Sequence, residues 1–157
     1  MYRFLRTAAL LACIPCSVPA QAPAATPTAA VPVPSVELPA ELARVLTDYE
    51  TLYRTGGMKL AELFTDDGFV LSGGRPPIRG RPGIAEYYGR PGGPLSLRAL
   101  AYAAEGNVGY IIGGYTDQKG NPDIGKFTLT LRKGSDGRWL IVSDMDNGNS
   151  PPRRPSQ

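Results

Sequence analysis

Between residues 39 and 55, Leu42, Val45, Leu46, Tyr49, Leu52 and Tyr53 fall at i, i+3, i+4, i+7, i+10 and i+11, which lays them on one face of a helix. Pro39 suits its first turn, and Gly56-Gly57 stops it. The spacing predicts a short second helix over residues 58–64 that turns Leu60, Leu63 and Phe64 inward. Thr65-Asp66-Asp67-Gly68 reads as a turn, Phe69-Val70-Leu71 as a short strand, and residues 73–77 as a Gly/Pro loop returning through Ile78. A third helix is predicted over residues 81–88, with Pro82 in its first turn and Ile84, Tyr87 and Tyr88 on one side. Beyond it the apolar period falls to two. Four strands are predicted over residues 96–104, 108–116, 124–132 and 139–144, joined by hairpin turns at Gly106-Asn107, Lys119-Gly120-Asn121 and Ser135-Asp136-Gly137. Helices gathered on one face of a curved antiparallel sheet make an α+β domain.

The last strand is apolar on both sides, since Trp139 and Ile141 alternate with Leu140 and Val142. One face is covered by helices, so the other needs a cover of its own. A second copy of the chain, a homodimer through the sheet face, is the expected cover, and the C-terminal tail is the alternative. Asp144 counts in phase with Leu140 and Val142 and is expected to face a covered surface. Lys126, Thr128 and Thr130 alternate with Phe127, Leu129 and Leu131, and Lys126 is the partner expected for a buried Asp144. Gly113-Gly114 within a strand predicts a bend.

Composition removes several chemistries. The chain has no histidine, which excludes a Ser-His-Asp triad, the usual zinc ligands and a His base. Its two cysteines, Cys13 and Cys16, fall in a leader. Arg3 and Arg6 precede a short apolar run, and Ala20-Gln21-Ala22 has the form of a cleavage site. Residues 1–22 are therefore expected to be an export signal, which places the mature chain in the periplasm or outside the cell. Leu10-Leu11-Ala12-Cys13 offers the alternative of a lipid anchor at Cys13, and only then a membrane association. Residues 23–36 form an Ala/Pro-rich linker, residues 37–149 the folded domain and residues 150–157 a tail. No clustered D-x-D-x-D loop is present, and neither metal nor cofactor is expected. Residues 37–150 hold 13 basic and 14 acidic side chains, a net of −1, which excludes the basic stripe of a nucleic-acid binder.

Local patterns add a resemblance. Leu63-Phe64-Thr65-Asp66-Asp67, the run from Pro77-Ile78-Arg79-Gly80 through Tyr87-Tyr88, Gly125-Lys126-Phe127, Asp136-Gly137-Arg138-Trp139 and Asp144-Met145-Asp146-Asn147 resemble, in order and spacing, the nuclear-transport-factor-two-like superfamily. That superfamily includes steroid isomerases and SnoaL-like cyclases, and the resemblance spans residues 41–149. It implies a cone-shaped fold with three helices on the concave face of the sheet and an internal pocket. By the same resemblance Tyr49 and Tyr88 match tyrosines of the isomerases' oxyanion network. The isomerases' general base would land on Ser72, or on Leu71 when counted back from Pro77, and their second acid near Leu129. None of these is a carboxylate, so steroid-isomerase chemistry is not implied.

Three functions follow. The leading one is an exported binding domain for a small, mostly apolar molecule, with Tyr49, Tyr53, Phe64, Tyr88, Tyr102 and Lys126 lining the pocket. The second is an isomerase, cyclase or dehydratase that uses Asp144 or Asp67. It requires a carboxylate inside the pocket within hydrogen-bond reach of a tyrosine hydroxyl. The third is an oligomerisation domain whose cone is filled by its own side chains.

Overall fold

The computed structural model describes residues 33–149; the expected leader, most of the linker and the tail lie outside them. Helix α1 (Ala40–Tyr53) buries Leu42, Val45, Leu46 and Tyr49, four positions of the predicted stripe. It is followed by α2 (Met58–Ala61), β1 (Phe64–Ser72), β2 (Ile78–Arg79), α3 (Arg81–Tyr87), β3 (Ser96–Glu105), β4 (Val108–Thr116), β5 (Gly125–Lys133) and β6 (Trp139–Gly148). The strands form one sheet in the order β2-β1-β6-β5-β4-β3. The helices cover one face, where Leu42, Leu60 and Ile84 meet Phe64, Ile111, Phe127, Leu131 and Ile141 of the sheet. This is the expected α+β arrangement, with one refinement. Every pairing is antiparallel except that of β1 with β6, which is parallel.

Residues 64–68 correct the sequence reading. They belong to β1 and not to a helix end and a turn. Phe64 pairs with Ile141, and the ladder resumes only at Phe69 opposite Ser143. The turn-forming run Thr65-Asp66-Asp67-Gly68 therefore appears as an irregularity inside a strand, where its tolerance of bent backbone serves equally well.

A second irregularity governs the site. On β6, Ser143 pairs with Thr130 but Ile141 with Leu131, so Val142 is an extra residue. One added residue reverses the phase of everything after it. Asp144 thus shares its face with Trp139 and Ile141, the helix-covered side, and not with Leu140 and Val142 as counted from strict alternation.

Glycines make room on the same face. A Cβ on Gly113 would lie 2.2 Å from Cζ of Phe127, and one on Gly125 would lie 2.1 Å from Cζ of Tyr115. Both aromatic rings lie where a side chain on the neighbouring strand would otherwise stand. The opposite face carries Tyr110, Ile112 and Met145, which are 39%, 40% and 48% exposed. Residues 33–36 run along β3, fastened by Val36 N–H to the Ala99 carbonyl and by Arg98, which donates to the Val33 carbonyl. Among the described residues no helix is long and apolar enough to cross a membrane.

Candidate functional site

Where the end of α1 and the turn after α3 stand over the sheet, a cavity of about 150 Å³ remains. Its polar lining is Tyr49 of α1, Ser72 of β1, Tyr87 and Tyr88 at the end of α3, and Asp144 and Asp146 of β6. Its apolar lining comes from Leu95, Leu97, Phe127 and Leu129, with the rings of Tyr53 and Tyr115. Leu97, Phe127 and Leu129 face inward by the period of their strands, and the β6 irregularity brings the two aspartates onto that face.

Two hydrogen-bonded chains share the cavity. In the first, Tyr49 Oη donates to Asp144 Oδ2 at 2.8 Å, and the Tyr88 and Tyr49 hydroxyls are 2.8 Å apart. Tyr49 has one proton and gives it to Asp144, so Tyr88 is the donor in the second bond. In the other chain, Tyr87 Oη donates to Ser72 Oγ at 3.1 Å, and Ser72 Oγ donates to Asp146 Oδ1 at 2.5 Å. Tyr53 stacks on Tyr49 with centroids 6.3 Å apart, and the Tyr87 and Tyr88 rings meet edge to face at 4.8 Å. Gly92 seats its loop on Tyr53: its N–H donates to the Tyr53 carbonyl at 2.9 Å, and a Cβ there would lie 2.1 Å from the ring.

Burial dominates the electrostatics. Asp144 is 4% exposed, and removal from water pushes its carboxyl up to about 7. The charge of Asp146 pushes the same way, while the Tyr49 and Tyr88 hydroxyls resist by stabilising the anion. The Tyr49 and Tyr88 phenols are driven well above their usual range, first by burial and then by Asp144. Tyr115 is raised by burial and by Asp146. At neutral pH the cavity therefore holds a carboxyl poised between its two forms beside tyrosines that keep their protons.

The structure brings together four of the residues singled out from sequence, Tyr49, Tyr53, Tyr88 and Asp144. The other four lie elsewhere. Phe64 is fully buried in the core, behind the cavity and not on its wall, because β1 begins there. Tyr102 shares a face with Ile111 by register but is 39% exposed at the far part of β3. Lys126 is on the opposite face, exposed, with its ammonium donating to Asn149 Oδ1 at 3.2 Å, so it does not partner Asp144. The neighbour of Asp144 on β5 is Leu129. Asp67 is a surface residue paired with Arg132 at 3.3 Å. The sequence reading missed Asp146, Ser72, Tyr87 and Tyr115. The Asp-Met-Asp spacing was the signal for Asp146, since residues two apart on a strand share a face. Among the described residues no group of three or more acids or other metal-ligating side chains is placed to hold a metal ion.

No family model matches the sequence, and no curated protein matches it. Solved structures do resemble it. A ketosteroid isomerase-like protein from Erwinia carotovora atroseptica is 18% identical, with a TM-score of 0.58 over 71% of this chain and 96% of that one. A protein of unknown function from Mycobacterium tuberculosis is 23% identical, with a TM-score of 0.55 over 71% and 72%. An NTF2-like protein with a cystatin-like fold from Novosphingobium aromaticivorans is 18% identical, with a TM-score of 0.52 over 69% and 80%. At these identities the likeness is one of fold: the chain has the nuclear-transport-factor-two-like, cystatin-like architecture.

Proposed function

We propose that the cavity is a general acid–base site that takes a small, mostly apolar molecule bearing one oxygen function, and that its work is a proton transfer of the isomerase, cyclase or dehydratase kind. The observation that carries this reading is Asp144. It is buried, it lines the cavity, it is within hydrogen-bond reach of Tyr49, and its carboxyl is poised at about 7. A group tuned to the ambient pH is the most effective proton donor or acceptor. The binding-only reading drew its strength from the missing carboxylate at Leu71 and Ser72. The carboxylates of β6 weaken that inference. A cavity of this size suits a molecule with one or two rings, since about 150 Å³ is enough to enclose benzene.

The test uses 2-tetralone, a small enolisable ketone, in deuterated buffer, with exchange at its acidic carbon followed by mass spectrometry. The wild type exchanges the proton faster than buffer, and Asp144→Asn slows that exchange at least about a hundredfold. A wild-type chain that leaves the exchange at the buffer rate overturns the reading.

We further infer that the sheet face away from the helices meets a second copy of the chain. Tyr110, Ile112 and Met145 are its exposed apolar residues, and Arg132 and Lys126 are exposed on the same face. The basic and apolar leader, with Ala20-Gln21-Ala22, supports export, which amino-terminal sequencing of the mature protein tests.

A further inference from the structure

Every hydroxyl proton in the two hydrogen-bonded chains of the cavity is already spent. Tyr88 donates to Tyr49, and Tyr49 donates to Asp144 Oδ2. Tyr87 donates to Ser72, and Ser72 donates to Asp146 Oδ1. A hydroxyl has one proton, so what Tyr87 and Tyr88 still offer a ligand is lone pairs. The second oxygens of Asp144 and Asp146 accept no hydrogen bond among the described residues. Asp144 lines the cavity and is only 4% exposed, so an oxygen left without a donor there is costly. The hydroxyls of Tyr53 and Tyr115 turn either way.

Charge points in the same direction. Asp144 and Asp146 share one face of β6, and no cation pairs with either among the described residues. Arg75 lies over the Tyr87 ring, 5.8 Å from its centroid, but it is exposed and pairs with neither carboxyl. The cavity wall also carries the rings of Tyr49, Tyr53, Tyr87, Tyr88, Tyr115 and Phe127, and aromatic faces attract cations. A hard metal ion asks for about six oxygen ligands. The described residues bring no three acidic or other metal-ligating side chains together, so a metal ion does not fit this wall.

We infer that the cavity binds a primary ammonium group carried on an apolar ring, with Asp144 and Asp146 as its anionic partners and Leu95, Leu97 and Phe127 against the ring. The inference rests on the reading of the cavity as a small-molecule site and names the class of molecule, an arylalkylamine. An ammonium has three N–H donors and no acceptor, which complements a wall of lone pairs. Residues two apart on a strand stand about 7 Å apart on one face. Charge-assisted N–H···O bonds span about 2.8 Å, so one nitrogen between the two carboxyls serves both and keeps a third donor for the Tyr88 oxygen. Its charge favours the ionised form of Asp144, which burial and the charge of Asp146 otherwise oppose. A neutral alcohol on the same ring offers one donor and no charge.

The test uses the full chain at neutral pH and calorimetric titration with two compounds on one skeleton, 2-aminotetralin and 2-tetralol. The amine binds at least about tenfold more tightly than the alcohol, the least that hydrogen bonds to charged groups give. In Asp146→Asn that advantage shrinks to within about threefold, because the amide keeps the shape and loses the charge. Thermal melts identify a variant that fails to fold, and the comparison of the two compounds on the wild type then carries the test. An alcohol that binds the wild type as tightly as the amine overturns the inference, as does an amine advantage that survives Asp146→Asn. Exchange of 2-tetralone at the buffer rate, with the amine still preferred, overturns the proton-transfer reading and leaves this one standing.

Discussion

A carboxyl with an ordinary value of 3.8 in the unfolded chain and about 7 in the folded one binds its proton more tightly when the protein is folded. The folded state then holds the extra proton between about pH 4 and pH 7, so the stability tied to Asp144 is full below pH 4 and falls as pH rises to 7. A difference of three units corresponds to about 4 kcal/mol. Urea midpoints at pH 5 and pH 8 should show about 3 kcal/mol of this loss in the wild type and much less in Asp144→Asn; equal pH dependence in the two would refute the placement of the proton. Tyr49→Phe removes the hydrogen bond that holds the carboxyl down, so Asp144 should titrate higher still, visible in its side-chain carbon resonance, at a stability cost of about 1–3 kcal/mol. Tyr49 and Tyr88 were legible in sequence from their resemblance to an oxyanion pair, and Asp144 as the acid on the last strand. Asp146 was missed although its Asp-Met-Asp spacing signals a shared face, because the pattern ends the last strand at residue 144 and the structure carries it to Gly148.

Among the elements, the irregularity at Val142 has the largest effect on the site. Without it the face holding Trp139 and Ile141 would continue into Ser143 and Met145, and both carboxylates would point away from the cavity. The hairpins from β3 to β6 were readable because Gly106-Asn107 and Asp136-Gly137 mark turns between period-two runs. The start of β1 was not, because Thr65-Asp66-Asp67-Gly68 has turn chemistry and only the pairing with β6 shows it within a strand. Gly113 is the element-scale test of packing. In Gly113→Ala the new Cβ meets Phe127 at 2.2 Å and the Arg98 carbonyl oxygen, backbone that cannot swing aside, at 2.5 Å. Chemical denaturation should show a loss of about 1–3 kcal/mol. Gly93→Ala, with nothing within 4 Å, should stay within about 0.5 kcal/mol of wild type.

For the molecule as a whole, the order of helices and strands already carried the fold, because an amphipathic stripe and four hairpin-linked strands leave few ways to close a core. The parallel partnership of β1 and β6 was not legible, since it joins segments distant in the chain and no turn signal announces it. The second-copy interface makes a prediction at this scale. Sedimentation should show a dimer at micromolar concentration, and Ile112→Lys combined with Met145→Lys should give a monomer that still melts cooperatively; a wild-type monomer under those conditions would rule the interface out. The position of β6, between β1 and β5, has a further effect. It is an inner strand and carries both carboxylates, so the event that zips the two halves of the sheet together also lowers the acids into place. A nascent chain that has formed only β3, β4 and β5 lacks both carboxyl groups of the cavity. If the proposed acid–base function holds, exchange activity counts finished molecules, and a kinetic assay started during refolding reports the arrival of this one strand.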